Sequence, residues 1–209
     1  GVFVIGDLLL EIGLDDDVVE VWNLFDQFPH ELGTLSPSTE KPVGFVDYAH
    51  ANSVTWDPAA GDYLIGLSNL ASIARIDGAT GELKWLLSGN PNEGDFASDE
   101  TLVDEPHSVQ ILEDDNLLIF NRHFSCAEAL EVHLDMDTMV AVPVWSHAAS
   151  PCLTVPFLGQ AMRLPDGETL ISWSSAGTLD IVTPEGETVW RLDLDLGAGF
   201  GFVEYADHL

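Results

Sequence analysis

Two histidines, His50 and His107, each stand just before a β-rich run and are the residues best placed to do chemistry. His50 lies in segment 47–54, which reads DYAHANSV, and His107 lies in segment 104–109, which reads DEPHSV. Imidazole can serve as a nucleophile, a general acid or base, a metal ligand or a donor to an oxyanion. The shared position predicts that the two rings converge. The alternative is that each stabilises a turn or faces solvent.

Further polar residues near these histidines are candidates for contacts with a substrate. Arg122 is one of four arginines in the chain and belongs to the run Asn121-Arg122-His123, which follows a predicted strand. We interpret Arg122 as a catalytic anion contact, and Asn52, Asn121 and Tyr48 as substrate-binding residues. Asn52 could equally orient a ring or close an Asx turn.

The charge balance limits the partners of this protein. Six Lys and Arg residues against 36 Asp and Glu residues give a formal net charge of -30. Such a surface repels nucleic acid and anionic membranes, and no apolar run approaches the roughly 18 residues of a membrane span. The ordinary explanation is a solvated acidic surface. The alternative is cation binding by residues 15–17 or 113–116, but neither has the spacing of an EF-hand loop.

Short β-rich runs separated by turn residues recur along the chain, and helix-period patterns are nearly absent. Residues 53–85, 108–145 and 160–190 align as strand, acidic or glycine turn, strand, loop, strand, turn, and a strand ending in tryptophan; residues 7–22 form an incomplete copy. Four strands per unit of about 45–60 residues are typical of a β-propeller blade. The recurring tryptophans are predicted to pack between blades. They are Trp22, Trp85, Trp145 and Trp190.

The sequence therefore predicts a single all-β domain over residues 1–209, a partial β-propeller of about three and a half blades. The blade units cover about 1–26, 47–89, 104–147 and 158–194. A two-sheet sandwich of the same strands is the alternative. The apolar start of the chain contains Asp7 and no basic residue, which argues against a signal peptide. Because a closed propeller needs at least four blades, we expect a longer propeller or a ring closed by a partner, for example another copy.

Several segments resemble the bacterial arylsulfotransferase family in the same order. They are residues 47–54, 63–65, 76–85, 106–120 and 164–171, with 6–11 and 22–26 resembling the family's middle region. The resemblance implies a propeller, typically of six blades, whose N-terminal blades are missing here. It also implies a periplasmic or secreted protein, no cofactor, and a small phenol or aryl sulfate as substrate.

The resemblance also implies a reaction. Members transfer a sulfuryl group from one phenol sulfate to another phenol without a nucleotide donor, through a histidine that is transiently sulfated. By motif match, His50 and His107 would be two of the family's channel histidines. Three positions depart from the family: Ser68 replaces an arginine, Ala127-Glu128 replace Ser-Arg, and residues 152–159 contain no histidine. These departures favour the alternative of a noncatalytic extracytoplasmic binding or structural propeller.

The sequence contains two cysteines, Cys126 and Cys152, and neither belongs to a CxxC pair. Their even number favours a disulfide in an oxidising compartment, whereas two buried free thiols are the alternative. Zinc binding by cysteine is not supported. A third functional hypothesis is a metal site formed by His50 and His107 with a carboxylate such as Asp47.

Overall fold

The computed structural model describes residues 3–28, 44–90, 93–122 and 126–194. Within these ranges β-strand is the dominant regular structure, as the sequence predicts. One short α-helix, α1 (Leu24–Gln27), begins after Asn23, whose side chain accepts a hydrogen bond from the backbone N–H of Phe25. Two 3-10 turns cover Ser68–Leu70 and Ser174–Ala176. The strands are β1 (Phe3–Ile5), β2 (Leu8–Ile12), β3 (Val18–Asn23), β4 (Phe45–Asp47), β5 (Ala51–Asp57), β6 (Asp62–Leu67), β7 (Ser72–Asp77), β8 (Leu83–Ser88), β9 (Pro106–Ile111), β10 (Asn116–Asn121), β11 (Glu128–Asp135), β12 (Val140–Ala148), β13 (Gln160–Arg163), β14 (Thr169–Ser172), β15 (Thr178–Val182) and β16 (Thr188–Asp193).

The strands form three four-stranded antiparallel sheets, each built from consecutive strands. They are β5 to β8, β9 to β12 and β13 to β16, and we call them the first, second and third blades. Strands β2 and β3 form an antiparallel half-blade, and β1 pairs with β4 in parallel. Inner strand β9 contacts inner strands β5 and β13. The described ranges thus confirm the propeller of three and a half blades; the exact domain bounds stay a prediction.

Three apolar clusters fill the spaces between successive blades. The cluster between the first and second blades includes Trp85, which is 5% exposed. Trp145 packs at the edge of the next cluster, and the Trp22 ring lies 5.5 Å from that of Tyr63 on the first blade. Trp190 is 44% exposed, since no further blade follows it within the described residues. Three of the four recurring tryptophans therefore pack between blades as predicted.

Most of the described basic side chains pair with carboxylates on other strands of the same blade or of the neighbouring blade. Arg75 bridges Asp57 and Asp62, which are nearly buried, at 2.6 and 2.7 Å. Lys84 also binds Asp62, at 2.6 Å. Two further arginines likewise bind an inward-facing carboxylate, and the pairs are Arg163–Glu131 and Arg191–Asp180. Arg122, the other basic residue of the described ranges, lies 3.5 Å from the Glu105 carboxylate.

Cys126 and Cys152 form a disulfide and are 26 positions apart. The backbone N–H of Ala127 donates to the carbonyl of Leu153 at 3.0 Å, so the bond and this contact hold the segment around residue 153 against the second blade. We call residues 149–159 the strap. It connects the second blade to the third, and its backbone carbonyls at Pro156 and Gly159 contact Arg122 and His107.

Replacing both cysteines by serine is expected to lower the free energy of unfolding by about 3.5 kcal/mol, since the bond closes a loop of 26 residues in the unfolded chain. Urea denaturation of the oxidised protein and of the double variant measures the difference. Reductant should destabilise the wild type and leave the variant unchanged. Titration of two free thiols in the denatured, unreduced protein would contradict the expectation.

Candidate active site

Two inner strands carry a β-bulge at the same place. In β5, the two neighbours of Asn52 pair with consecutive residues of β6, which leaves Asn52 as the extra residue. In β9, the two neighbours of His107 pair in the same way with consecutive residues of β10. A bulge adds one residue to a strand and redirects its side chain, and bulges are frequent beside active sites. Asn52 and His107 are therefore the equivalent residues of the first and second blades.

These registers correct the expectation that His50 and His107 occupy the same position. His50 corresponds instead to Glu105, and both have a left-handed backbone, with φ of 51° and 46°. The expectation matched the histidines to each other, whereas aligning HANSV and PHSV by their serine and valine leaves the histidines two residues apart, as in the structure. The two side chains still interact electrostatically, since the charge of His50 contributes to the lowered pKa of His107.

His107 is held as a neutral imidazole. Its Nδ1 lies 3.1 Å from the carbonyl oxygen of Gly159 in the strap, and because a carbonyl only accepts, Nδ1 must carry the proton. Burial, together with the charges of Arg122 and His50, lowers the pKa of His107 to about 4. At neutral pH the ring therefore presents an unprotonated Nε2, which is the nucleophilic form of imidazole.

The Cε1 proton of His107 is expected to titrate in NMR spectra with a midpoint near pH 4, below the ordinary 6.5. Because the pKa of His107 is lower in the folded than in the unfolded protein, the unfolded state binds a proton first as the pH falls. The stability that neutral His107 provides is therefore fully present above pH 6.5 and is lost as the pH falls toward 4. The melting temperature of the wild type should thus fall more steeply over this range than that of His107→Gln. A midpoint near 6.5 would show that the ring is not buried as described.

His50 is oriented by a carboxylate. Its Nδ1 lies 2.8 Å from Oδ2 of Asp47, whose side chain is only 7% exposed, whereas the His50 ring is 37% exposed. A carboxylate bound to one imidazole nitrogen orients the ring, which suits a proton-transfer residue.

Arg122 reaches from the second blade toward the first. Its Nη1 donates to the carbonyl of Pro156 in the strap at 2.6 Å. Its Nη2 lies 3.4 Å from Oγ of the buried Ser68 and 3.5 Å from Oε2 of Glu105. The buried Nε has no hydrogen-bond partner within the described part of the chain. Ser68, where the family resemblance led us to expect an arginine, is therefore reached by a guanidinium from the neighbouring blade.

The other predicted substrate contacts have different surroundings. Asn52 has a buried amide, and neither its oxygen nor its nitrogen has a hydrogen-bond partner among the described residues. Tyr48 stacks on Phe25 with ring centroids 5.6 Å apart, and burial and then the charge of Glu93 raise its pKa. Both remain predicted contacts, of which the Asn52 amide is the better placed because it is unpaired.

Asn121 is fully buried, and its amide is used within the fold. The amide nitrogen donates to the carbonyl of Leu102 at 2.9 Å, and the amide oxygen accepts from the backbone of Asp104 at 3.2 Å. Asn121 thereby holds the lead-in to His107. Its direct contact with a substrate stays a prediction.

Sequence reasoning missed Asp7. Its carboxylate accepts backbone hydrogen bonds from His50 and Ala51, while Oδ2 is buried and has no partner within the described ranges. Burial raises the pKa of Asp7, and the charge of Asp47 raises it further. The signal in the sequence was an aspartate that interrupts an apolar run, but that pattern alone does not reveal a partner more than 40 positions away.

Among the described residues, His133 and His147 have contacts on other strands. His147 belongs to outer strand β12. Its ring centroid lies 6.3 Å from that of Trp145 and 6.4 Å from that of Trp173, and burial lowers its pKa. His123 lies outside the described residues. Within the described ranges, no group of three His, Cys, Asp or Glu side chains is arranged to hold a metal ion. We call His50, His107 and Arg122 the channel cluster.

The family model of the arylsulfotransferases (ASST) matches residues 3–195, nearly the whole chain. The chain belongs to the arylsulfotransferase family. No curated protein matches it. This assignment confirms the resemblance inferred from the motifs and agrees with the blades described above. None of the helices in the described ranges is long and apolar enough to cross a membrane.

Solved structures show similarity of fold at low sequence identity. A protein of unknown function from Bacteroides caccae is 17% identical, with a TM-score of 0.52 and coverage of 91% of this chain and 58% of that one. Hydrazine synthase of Kuenenia stuttgartiensis is 13% identical, with a TM-score of 0.48 and coverage of 79% and 40%. Virginiamycin B lyase from Staphylococcus aureus is 12% identical, with a TM-score of 0.42 and coverage of 88% and 62%. This arylsulfotransferase-family chain spans less than two thirds of each.

Proposed function

We propose that this protein transfers a sulfuryl group between phenolic compounds without a nucleotide donor, with His107 as the nucleophile. The observation that carries the proposal is the neutral, half-buried His107, whose proton is held on Nδ1 by the strap carbonyl of Gly159 and whose pKa the charge of Arg122 helps to lower. A nucleophile and a cation in one partly buried place are what attack on an anionic sulfate ester requires.

In the first step, Nε2 of His107 attacks the sulfur of an aryl sulfate. The N–S bond forms as the bond between sulfur and the phenolic oxygen breaks, and the leaving phenolate takes a proton from His50. Arg122 stabilises the negative sulfuryl oxygens through charge-assisted hydrogen bonds. Asp47 keeps His50 in position through its contact at 2.8 Å.

In the second step, an acceptor phenol replaces the departed one. His50 takes back the acceptor's proton, the phenolic oxygen attacks sulfur, and the N–S bond to His107 breaks. The product is a new aryl sulfate, and both histidines return to their starting protonation states. No water is required, so exclusion of water from the intermediate would separate transfer from hydrolysis.

A noncatalytic binding propeller remains the second candidate, and one contact favours it. Arg122 already lies 3.5 Å from the Glu105 carboxylate and donates to the Pro156 carbonyl, so a sulfate must compete for this guanidinium. The net charge of -30 adds to the cost of bringing an anion to the site.

The two candidates are separated by release of 4-nitrophenolate from 4-nitrophenyl sulfate by the purified protein, with and without phenol. Transferase activity predicts release that depends on phenol and a phenyl sulfate product of equal amount. Without phenol, a burst of about one equivalent should mark sulfated His107. A folded protein that gives neither burst nor turnover would support the binding propeller.

We also propose that the protein works in the periplasm or outside the cell. The disulfide between Cys126 and Cys152 supports this location, because such bonds persist in oxidising compartments. Fractionation of the native organism followed by alkylation of free thiols would test it. Recovery of the reduced protein in the cytoplasm would contradict it.

A further inference from the structure

Asp7 lies between β1 and β2, and backbone contacts fix its place beside His50. The pairing of β1 with β4 brings this segment to the start of the first blade, where the N–H of Tyr48 donates to the carbonyl of Ile5 at 3.0 Å. The carbonyl of Asp7 itself accepts from the N–H of Leu24 at 3.1 Å. These contacts hold the Asp7 carboxylate against the turn that carries His50.

The Asp7 carboxylate accepts hydrogen bonds from two successive backbone N–H groups, those of Ala51 and His50. His50 has a φ of 51°, a left-handed conformation that residues with a Cβ atom rarely adopt. Successive N–H groups in such a turn point to one side and form a concave site for an anion. The carboxylate therefore stabilises a backbone conformation that costs free energy at a histidine.

Asp7 and Asp47 act on different parts of His50. Asp47 binds the ring, since its Oδ2 lies 2.8 Å from Nδ1. Asp7 binds the backbone, whose φ sets the direction of the Cα–Cβ bond and so the point from which the ring extends. The carbonyl of His50 is held as well, because it accepts from the N–H of Ser68 at 3.1 Å. Because the backbone is fixed in this way, the ring is directed toward Asp47.

We propose that Asp7 is a positioning residue for His50. By binding the N–H groups of His50 and Ala51, its carboxylate maintains the left-handed turn that directs the imidazole into the channel cluster. Asp7 neither touches the substrate nor transfers a proton. The effect of Asp7 on sulfuryl transfer rests on the proposed function, whereas its hold on the backbone of His50 does not.

The hold on the backbone can be measured without turnover, by amide hydrogen exchange in NMR spectra. In the wild type, the amides of His50 and Ala51 should exchange slowly, and Asp7→Ala should speed both by roughly tenfold or more. Asp7→Asn should keep most of the protection, because its amide oxygen still accepts and its NH₂ takes the place of the unpaired Oδ2. Rapid exchange of both amides in the wild type would overturn the proposal, whether or not a variant folds.

Asp135→Ala is the matched control. Oδ1 of Asp135 also accepts from two backbone N–H groups, those of Asp137 and Thr138, each at 3.0 Å. This turn joins β11 to β12, away from His50. The change should leave the exchange of the His50 and Ala51 amides as it is in the wild type.

Two sulfate donors separate a positioning role from a purely structural one. His50 protonates the leaving phenolate, so its misplacement harms a donor with a poor leaving group more than one with a good leaving group. Asp7→Ala should therefore lower kcat/KM about tenfold more for phenyl sulfate than for 4-nitrophenyl sulfate, with one common acceptor. In a His50→Gln background the same change should add no further loss, because residues that act through one proton transfer are not additive. Asp7→Asn should recover most of the rate.

The outcomes distinguish this inference from the proposed function. Amide protection that depends on Asp7, in a protein without any sulfuryl transfer, would support the hold on His50 and overturn the transferase. Transfer by the wild type with equal losses for both donors in Asp7→Ala, repeated in the His50→Gln background, would overturn the positioning role. Asp7 would then act on the stability of the fold alone.

Discussion

Replacing His107 by glutamine should reduce kcat/KM for transfer from 4-nitrophenyl sulfate to phenol by roughly a thousandfold or more. Glutamine can still donate to the Gly159 carbonyl, but it offers no nitrogen that can attack sulfur. The burst of nitrophenolate in the absence of phenol should disappear with it. Stopped-flow absorbance measures the burst, and steady-state assays with phenol measure kcat/KM.

His133→Gln is the matched control for this experiment. His133 lies on β11, where its Nδ1 contacts the side chain of Asn116 at 2.8 Å on the outer part of the second blade. Its replacement should leave both burst and turnover unchanged. If His107→Gln kept its burst while His50→Gln lost it, the two histidines would have exchanged roles and His50 would be the nucleophile.

Replacing Arg122 by methionine should lower kcat/KM for the sulfate donor by about 10²–10³-fold. Methionine keeps much of the side-chain volume, but it removes the positive charge that faces the sulfuryl oxygens. Arg122→Lys should recover only part of the loss, since a single ammonium cannot contact Pro156, Ser68 and a sulfate together. The donor dependence of the initial rate measures these effects, and the affinity for phenol alone should not change.

Glu105→Gln should improve use of the sulfate donor, the opposite of the effect expected for Arg122→Met. The Glu105 carboxylate lies 3.5 Å from Nη2 of Arg122 and competes with a sulfate for it. The amide removes this competition, so the KM for the donor should fall several-fold. If Glu105→Gln and Arg122→Met weakened donor use equally, Glu105 would be needed to position the guanidinium. The proposal that its carboxylate competes with the sulfate would then be wrong.

The repeated pattern in the sequence determined the blades. Alternating apolar runs with acidic and glycine turns fix where strands begin and end, because these preferences act over a few residues. Gly167 and Gly186 have positive φ in the turns between β13 and β14 and between β15 and β16. The regular position of Trp22, Trp85 and Trp145 likewise follows from one packing requirement repeated between blades.

Only the tertiary structure decided how the site is assembled. Aligning the motifs by serine and valine pairs Asn52 with His107, but the sequence does not show that both residues sit in β-bulges, which depend on pairing with the next strand. The contact of Arg122 with Ser68 spans 54 positions, and Asp7 binds the backbone beside His50 from the preceding half-blade. Such contacts depend on how neighbouring blades pack, and local residue preferences do not encode that packing.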